Sequence, residues 1–392
     1  MRRSLFKIAF CTSLLACGIS PAQIPGTLGE APLDTFGIVK LYPTKAGTVE
    51  WNSAHWANGT PRGIAWAGDG HDPLGYTENH SAGSASPSFF VDGEGVLQMM
   101  SSGPRFHINS MAKGADKTQF FRDVEFTAYY RRGIASAKDG EKDYGGMVMG
   151  VRSGPLGHAS SGGNDCDAST YYARIRHDGK WDFEKEWKHP ASYYQSMGVI
   201  GRQTPLWGGK PLEANRWIGM KFVVYNLDDS SVMLEMYIDT TSGGETAKAK
   251  WELLGSALDQ GKDWSGAGNN VAYIEGCADY NGLTDAYAPI LEGHGTALMR
   301  TDGPVDNAVQ AEYKFVSIRE IDPAARFADS AGSTDTVPVP EALQTSRKNH
   351  GDFLPDFSSK KDALGRRAKG NVSRSPRFLL SLDPQRRRSR RN

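Results

Sequence analysis

The stretch Asp123-Val124-Glu125-Phe126-Thr127-Ala128-Tyr129-Tyr130 constrains the fold more than any other part of the chain. Its apolar residues Val124, Phe126, Ala128 and Tyr130 fall on every second position, which is the period of a strand with one buried face. Val232, Leu234, Met236 and Ile238 repeat that alternation within residues 232–239. Residues 147–152, 171–176, 180–187, 217–226 and 312–321 read as further strands. Asp178-Gly179, between two of them, is a favoured two-residue hairpin pair. No segment shows a convincing amphipathic helix, and no internal repeat points to a propeller or solenoid. The pattern predicts an all-β fold, an antiparallel β-sandwich of jelly-roll type.

The two ends differ from this middle. Residues 1–22 read as an export signal: Arg2, Arg3 and Lys7 precede an apolar run, and Ser20-Pro21-Ala22 is a small-residue cleavage site. Leu14-Leu15-Ala16 before Cys17 leaves lipoprotein processing as the alternative. No later segment holds about 18 continuous apolar residues, so no transmembrane helix is expected. The expected location is extracellular or periplasmic, with the chain secreted as a monomer. Cys166 and Cys277 remain outside the signal, and an even pair in an exported chain suggests one disulfide. Two free buried thiols are the alternative.

Overall charge is balanced, with 45 Lys plus Arg against 45 Asp plus Glu, but unevenly spread. Residues 347–392 carry 14 basic and 4 acidic residues, a net of +10. Residues 23–346 carry 28 basic and 41 acidic residues, a net of −13. Residues 323–392, which open on Pro323 and a Ser/Thr/Pro stretch, hold too little apolar surface to offset the entropy of ordering and are expected to be a disordered basic tail. Residues 23–322 form the expected jelly-roll domain, loop-rich up to about residue 115. Its acidic charge argues against nucleic acid as the main ligand.

If Asp178-Gly179 is the turn, Arg176 faces Trp181, Arg174 faces Phe183 and Tyr172 faces Lys185. One sheet face then combines Tyr172, Arg174, Arg176, Trp181, Phe183, Lys185 and Trp187, because cross-strand partners point the same way. Rings stack on sugar C–H faces, and Arg grips a carboxylate through two parallel bonds. The other face would carry Tyr171, Ala173, Ile175, Asp182, Glu184 and Glu186. The opposing reading makes the aromatics core and the charges solvated edge. His189 and Tyr193 follow beside the proposed face. Arg105, His107 and Arg152 are further candidates to contact a ligand.

The segments Tyr171-Tyr172-Ala173-Arg174-Ile175-Arg176-His177-Asp178-Gly179-Lys180, Arg216-Trp217-Ile218-Gly219-Met220-Lys221 and Lys314-Phe315-Val316-Ser317-Ile318-Arg319-Glu320 give residues 122–321 a resemblance to the concanavalin A-like jelly-roll superfamily. Within it the chain is most similar in style to secreted polysaccharide lyases of alginate and glucuronan type, although their usual signature strands are absent. The resemblance implies a uronate-containing polysaccharide as partner and cleavage by β-elimination. It implies an Arg that neutralises the uronate carboxylate, here Arg174 or Arg176, and a base and acid, here Tyr172 or His189. Pairing the carboxylate with Arg stabilises charge where it develops, and a general base then removes the α proton. Trp181, Lys185, Tyr193, Arg105, His107 and Arg152 would bind the chain of sugars.

Two other classes stand beside this one. A glycoside hydrolase would use paired carboxylates, for which Glu184 with Glu186 and Glu235 with Asp239 share strand faces. A non-catalytic glycan-binding domain would need only the aromatics. No cofactor is required by any of the three. Asn164-Asp165-Cys166-Asp167 and Asp69-Gly70-His71-Asp72 offer loop oxygens suited to a structural Ca2+. No Cys/His spacing of the zinc type and no nucleophile elbow is found in the sequence.

Overall fold

The computed structural model describes residues 26–80, 88–100, 104–110, 119–133, 146–154, 169–188, 191–195, 204–261, 264–266, 288–301 and 309–328. Two nine-stranded sheets account for most of them. The front sheet runs β17 (Trp264–Gly266), β12 (Ala191–Gln195), β11 (Lys180–Lys188), β10 (Thr170–Arg176), β9 (Gly146–Ser153), β18 (Thr296–Arg300), β7 (Arg105–Asn109), β4 (Thr77–His80), and β13 (Thr204–Pro205) also pairs with β11. The back sheet runs β16 (Glu252–Asp259), β15 (Ser231–Asp239), β14 (Trp217–Asp228), β8 (Val124–Arg132), β19 (Val309–Glu320), β6 (Leu97–Met100), β5 (Phe89–Val91), β3 (Arg62–Gly63), and β2 (Trp51–Asn52) pairs with β19. Every pairing within both sheets is antiparallel, as in Ile175 against Trp181 and Phe222 against Phe126. A separate parallel pair joins β1 (Gly26–Glu30) to β20 (Ala325–Ala328).

The chain crosses between sheets repeatedly. β18 is inserted between β9 and β7, and β19 between β8 and β6. Such non-sequential neighbours are the crossovers of a jelly-roll sandwich. The predicted alternation is realised: Val124, Phe126, Ala128 and Tyr130 of β8, and Val232, Leu234, Met236 and Ile238 of β15, all enter the core between the sheets. Phe183 of the front sheet stacks on Phe222 of the back sheet with centroids 6.0 Å apart. Each such side chain contributes roughly 1.5–3 kcal/mol by leaving water. No α-helix is present among the described residues, and no helix there is long and apolar enough to cross a membrane.

The loop-rich N-terminal part joins both sheets through β2 to β7. Residues 41 and 42 lie on the outer face of the back sheet, where the backbone N–H groups of Leu41 and Tyr42 donate to the buried Glu125 carboxylate at 3.0 and 3.3 Å. Strand β20 lies beyond residue 322, where the sequence placed the end of the domain, because it pairs with β1. The signal at residues 1–22, Cys166, Cys277, His189 and the tail from residue 329 lie outside the described residues.

The β10–β11 hairpin departs from expectation. Ile175 stands opposite Trp181, Arg174 opposite Asp182 and Tyr172 opposite Glu184. A two-residue turn of the favoured kind needs positive φ at both central residues. Only Gly179 has it, at +73°, and its N–H returns to Arg176 O at 3.1 Å. Asp178 is held otherwise, accepting from Arg176 Nε at 3.0 Å and Arg176 Nη2 at 2.7 Å. The connection therefore spans three residues, and the one-residue slip exchanges the two faces of β11. Trp181, Phe183 and Lys185 turn inward, and Asp182, Glu184 and Glu186 turn outward beside Tyr172, Arg174 and Arg176.

Candidate functional site

Outward-facing residues of the front sheet line up in register across its strands. One row reads Glu184, Tyr172, Gly150, Leu298, His107, Glu78. The next reads Asp182, Arg174, Val148, Arg300, Arg105, His80. Val148, Tyr172 and Leu298, each at most 1 % exposed, form a small buried apolar cluster at the middle. Charged and hydrogen-bonding groups surround that cluster on both sides.

Tyr172 occupies the centre. Its ring lies over Gly150, where a Cβ would come within 2.8 Å of a ring carbon. Only glycine permits that approach. The Arg300 guanidinium sits 4.2 Å from the ring centroid, a cation–π contact. The hydroxyl donates to Glu186 Oε2 at 3.2 Å. Burial, and then the neighbouring Glu186 carboxylate, push the phenol well above its ordinary value, while Arg300 pulls the other way. Tyr172 thus carries its proton and points it at a carboxylate.

Arg174 is committed to structure. It meets Asp182 through two bonds of 2.7 Å and reaches Glu184 Oε2 at 2.9 Å. Arg300 Nη2 approaches the same Glu184 oxygen at 3.5 Å, long for a charge-assisted bond. Arg176 is engaged by Asp178 at the hairpin. The predicted pair of candidate charge neutralisers is therefore bound to carboxylates of its own sheet.

Three residues predicted to contact ligand are structural. Trp181 is 3 % exposed in the inter-sheet core and packs edge-on against Phe183. Lys185 is sealed, with Nζ 2.8 Å from Asp259 Oδ2 and 4.7 Å from the Trp264 ring centroid. Arg152 is also fully buried. It donates to Arg122 O at 2.6 Å, to Ile290 O, and to Asp123 at 3.3 Å. Burial lowers its guanidinium to about 10, so it stays charged at neutral pH. Arg105 and His107 do stand on the outward face. Tyr193 lies opposite Lys185 in the backbone register, and its side chain is outside the described residues. In the Asp69–Asp72 loop the carboxylates meet protein donors: Asp69 accepts from Arg62 Nε at 2.8 Å, and Asp72 from Trp51 Nε1 at 2.9 Å and Tyr76 N at 2.8 Å. The 164–167 loop lies outside the described residues.

Arg300, Glu184 and Glu186 were missed as partners of Tyr172. The acidic pair was visible in the sequence but assigned to the opposite face by the slipped register. Arg300 ends the short strand Thr-Ala-Leu-Met-Arg, where Ala297 and Met299 enter the core. That alternation is the signal that would have turned Leu298 and Arg300 outward.

No family model matches the chain, and no curated protein matches it. Solved structures are similar to it at low identity. The marine PL-14 alginate lyase from Aplysia kurodai is 10 % identical with a TM-score of 0.38, covering 70 % of this chain and 100 % of its own. An alginate lyase from Pseudomonas aeruginosa is 8 % identical with a TM-score of 0.25, covering 57 % and 75 %. Lectin II from Ulex europaeus is 6 % identical with a TM-score of 0.29, covering 66 % and 97 %.

Proposed function

We propose that the outward face of the front sheet binds a uronate-containing polysaccharide and cleaves it by β-elimination, with Tyr172 and Glu186 as the proton-handling pair and Arg300 as the charge neutraliser. The observation that carries this reading is the Arg300 guanidinium over the Tyr172 ring while the Tyr172 hydroxyl donates to Glu186. Tyr172 is fully buried and Arg300 6 % exposed, so a uronate carboxylate paired with Arg300 at that narrow opening would lie beside the hydroxyl. The C5 proton passes to Tyr172 Oη as the phenolic proton passes to Glu186, so no free phenolate forms. The electrons of the C5–H bond become the C4=C5 double bond, and the C4–O4 bond breaks. The proton returns through Tyr172 to the leaving O4 oxygen. This relay suits a phenol whose ionisation burial opposes. The charged start and apolar run of the N-terminus support export of the chain.

A second reading rests on Asp182, Glu184 and Glu186, which alternate on one outward strand face, roughly 6.5–7 Å apart along it by strand rise. Carboxylates at that separation suit an inverting glycoside hydrolase. Against it, Arg174 holds Asp182 and Glu184 in ion pairs.

The two readings separate in one experiment. The protein is incubated with uronate polymers and with neutral glucans, and ultraviolet absorbance of unsaturated uronate is followed beside reducing ends. Elimination gives both signals, hydrolysis only the second, and a binding module neither. Arg300→Ala should then lower turnover by about 10²–10³, and Tyr172→Phe by about 10²–10⁴. Wild-type rates in both variants would place the chemistry elsewhere.

A further inference from the structure

At the opposite edge of the same sheet, β4 and β7 bring together three donors that the elimination chemistry does not use. We propose that Glu78, His80 and His107 form a binding site for a late first-row divalent cation, with Zn2+ the best match. The register sets Glu78 directly opposite His107, and His80 follows Glu78 by two residues on the same strand face. One ligand atom from each lies within 4.8 Å of the others. His80 Nε2 stands 3.0 Å from Glu78 Oε2, and the two imidazoles stack with centroids 4.1 Å apart and planes inclined by 21°.

The chemistry of the set selects the ion. Imidazole nitrogens suit Zn, Cu, Ni and Fe, whereas Ca2+ and Mg2+ prefer oxygen alone. Two nitrogens and one carboxylate are the three-ligand arrangement that leaves a fourth position open. Zinc bonds of 2.0–2.2 Å put tetrahedral donors about 3.3 Å apart, so modest side-chain rotation closes the cluster. Asn109 Nδ2 donates to Glu78 Oε2 at 3.1 Å and fixes the carboxylate. Such outer contacts orient metal ligands. His107 is 1 % exposed, while the side chains of Glu78 and His80 keep 23 % and 15 %, so the cluster is sealed below and open above. Arg105 stands opposite His80 in the register and its charge works against a cation. The expected affinity is therefore only about micromolar. The spacing escapes a sequence search because strand pairing, not a helix or a short loop, assembles the donors.

The site is independent of the elimination reading, and its test uses no activity. Tag-free protein is titrated with ZnCl2 by calorimetry, and with Co2+ by visible absorption. One site per chain is expected, with d–d bands of a four-coordinate nitrogen/oxygen site and no displacement by Ca2+. His80→Ala and Glu78→Gln, both at partly open positions, should weaken Zn2+ binding at least tenfold while far-ultraviolet circular dichroism stays unchanged. Failure of the wild type to bind Zn2+, equal binding in both variants, or displacement by Ca2+ would each overturn the assignment.

Discussion

Lys185 Nζ lies 2.8 Å from Asp259 Oδ2, and neither side chain exposes any surface to solvent. The same carboxylate accepts from the Tyr171 hydroxyl, from Trp264 Nε1 at 3.0 Å and from Gly261 N at 2.9 Å. It ties β16 of the back sheet to β10, β11 and β17 of the front one. Removing one partner of a buried pair leaves a charge uncompensated, at a cost of about 3–5 kcal/mol. Lys185→Ala should lower unfolding free energy by that amount in denaturant titration, and Asp259→Ala by at least as much. Kinetics on the folded fraction should be unchanged. A loss of turnover without a loss of stability would return Lys185 to the ligand-binding face.

Arg174→Ala should behave as a stability variant for the same reason. It strands Asp182 and Glu184, both 1 % exposed, and the expected loss is about 3–5 kcal/mol. Arg174→Lys keeps the charge but not the two-bond geometry, and should recover only part. Equal stability of wild type and Arg174→Ala in thermal unfolding would refute this.

Gly150→Ala probes the Tyr172 site without touching a charged group. The added Cβ would meet the Tyr172 ring at 2.8 Å and the Thr170 methyl at 2.9 Å. The ring must move, at a cost of about 1–3 kcal/mol, and its hydroxyl leaves Glu186. On a uronate polymer the variant should lose kcat much as Tyr172→Phe does. A variant that loses stability but keeps the wild-type kcat would mean that the ring position is irrelevant to turnover.

Glu320 carries a pH dependence of stability. Burial raises its carboxyl from 4.5 to about 7, although the Arg122 and Asp123 N–H groups oppose this. The folded protein then holds a proton that the unfolded chain releases. Its contribution is complete below about pH 4.5 and is lost as pH rises through about 7. The full shift corresponds to about 3 kcal/mol. Glu320→Gln should remove this component, so the Tm of the variant relative to wild type should climb between pH 5 and 8. A constant Tm difference across that range would sink the assignment.

Most of the architecture was legible because burial of one strand face imposes a two-residue period. Val124 to Tyr130 and Val232 to Ile238 announced β8 and β15 without ambiguity. The site was less legible, because faces depend on turn geometry and turn geometry depends on single residues. At Asp178 the carboxylate was drawn to Arg176, the loop took three residues, and the side chains of β11 from Trp181 to Glu186 changed sides. Tyr172 and Arg174 stayed on the outward face, since their strand did not depend on that turn. Arg152 and Lys185 misled for another reason. A long cation near a predicted ligand face resembles a binding group, and only tertiary contacts with Asp123 and Asp259 reveal a buried brace. Glu78 and His80 gave no linear cue, and nothing in the sequence joined them to His107.

The parallel pair β1–β20 joins Gly26 to Ala325 and Leu28 to Phe327, close to both ends of the described chain. Because the strands run the same way, tension applied through the two ends would slide one along the other. All bonds of the pair would then carry load together instead of unzipping one at a time. In single-molecule pulling, this short pair is the mechanical fuse of the domain. It should yield before the sandwich in a distinct first event, and Leu28→Pro, which deletes a backbone donor, should abolish that event and leave the main rupture force intact.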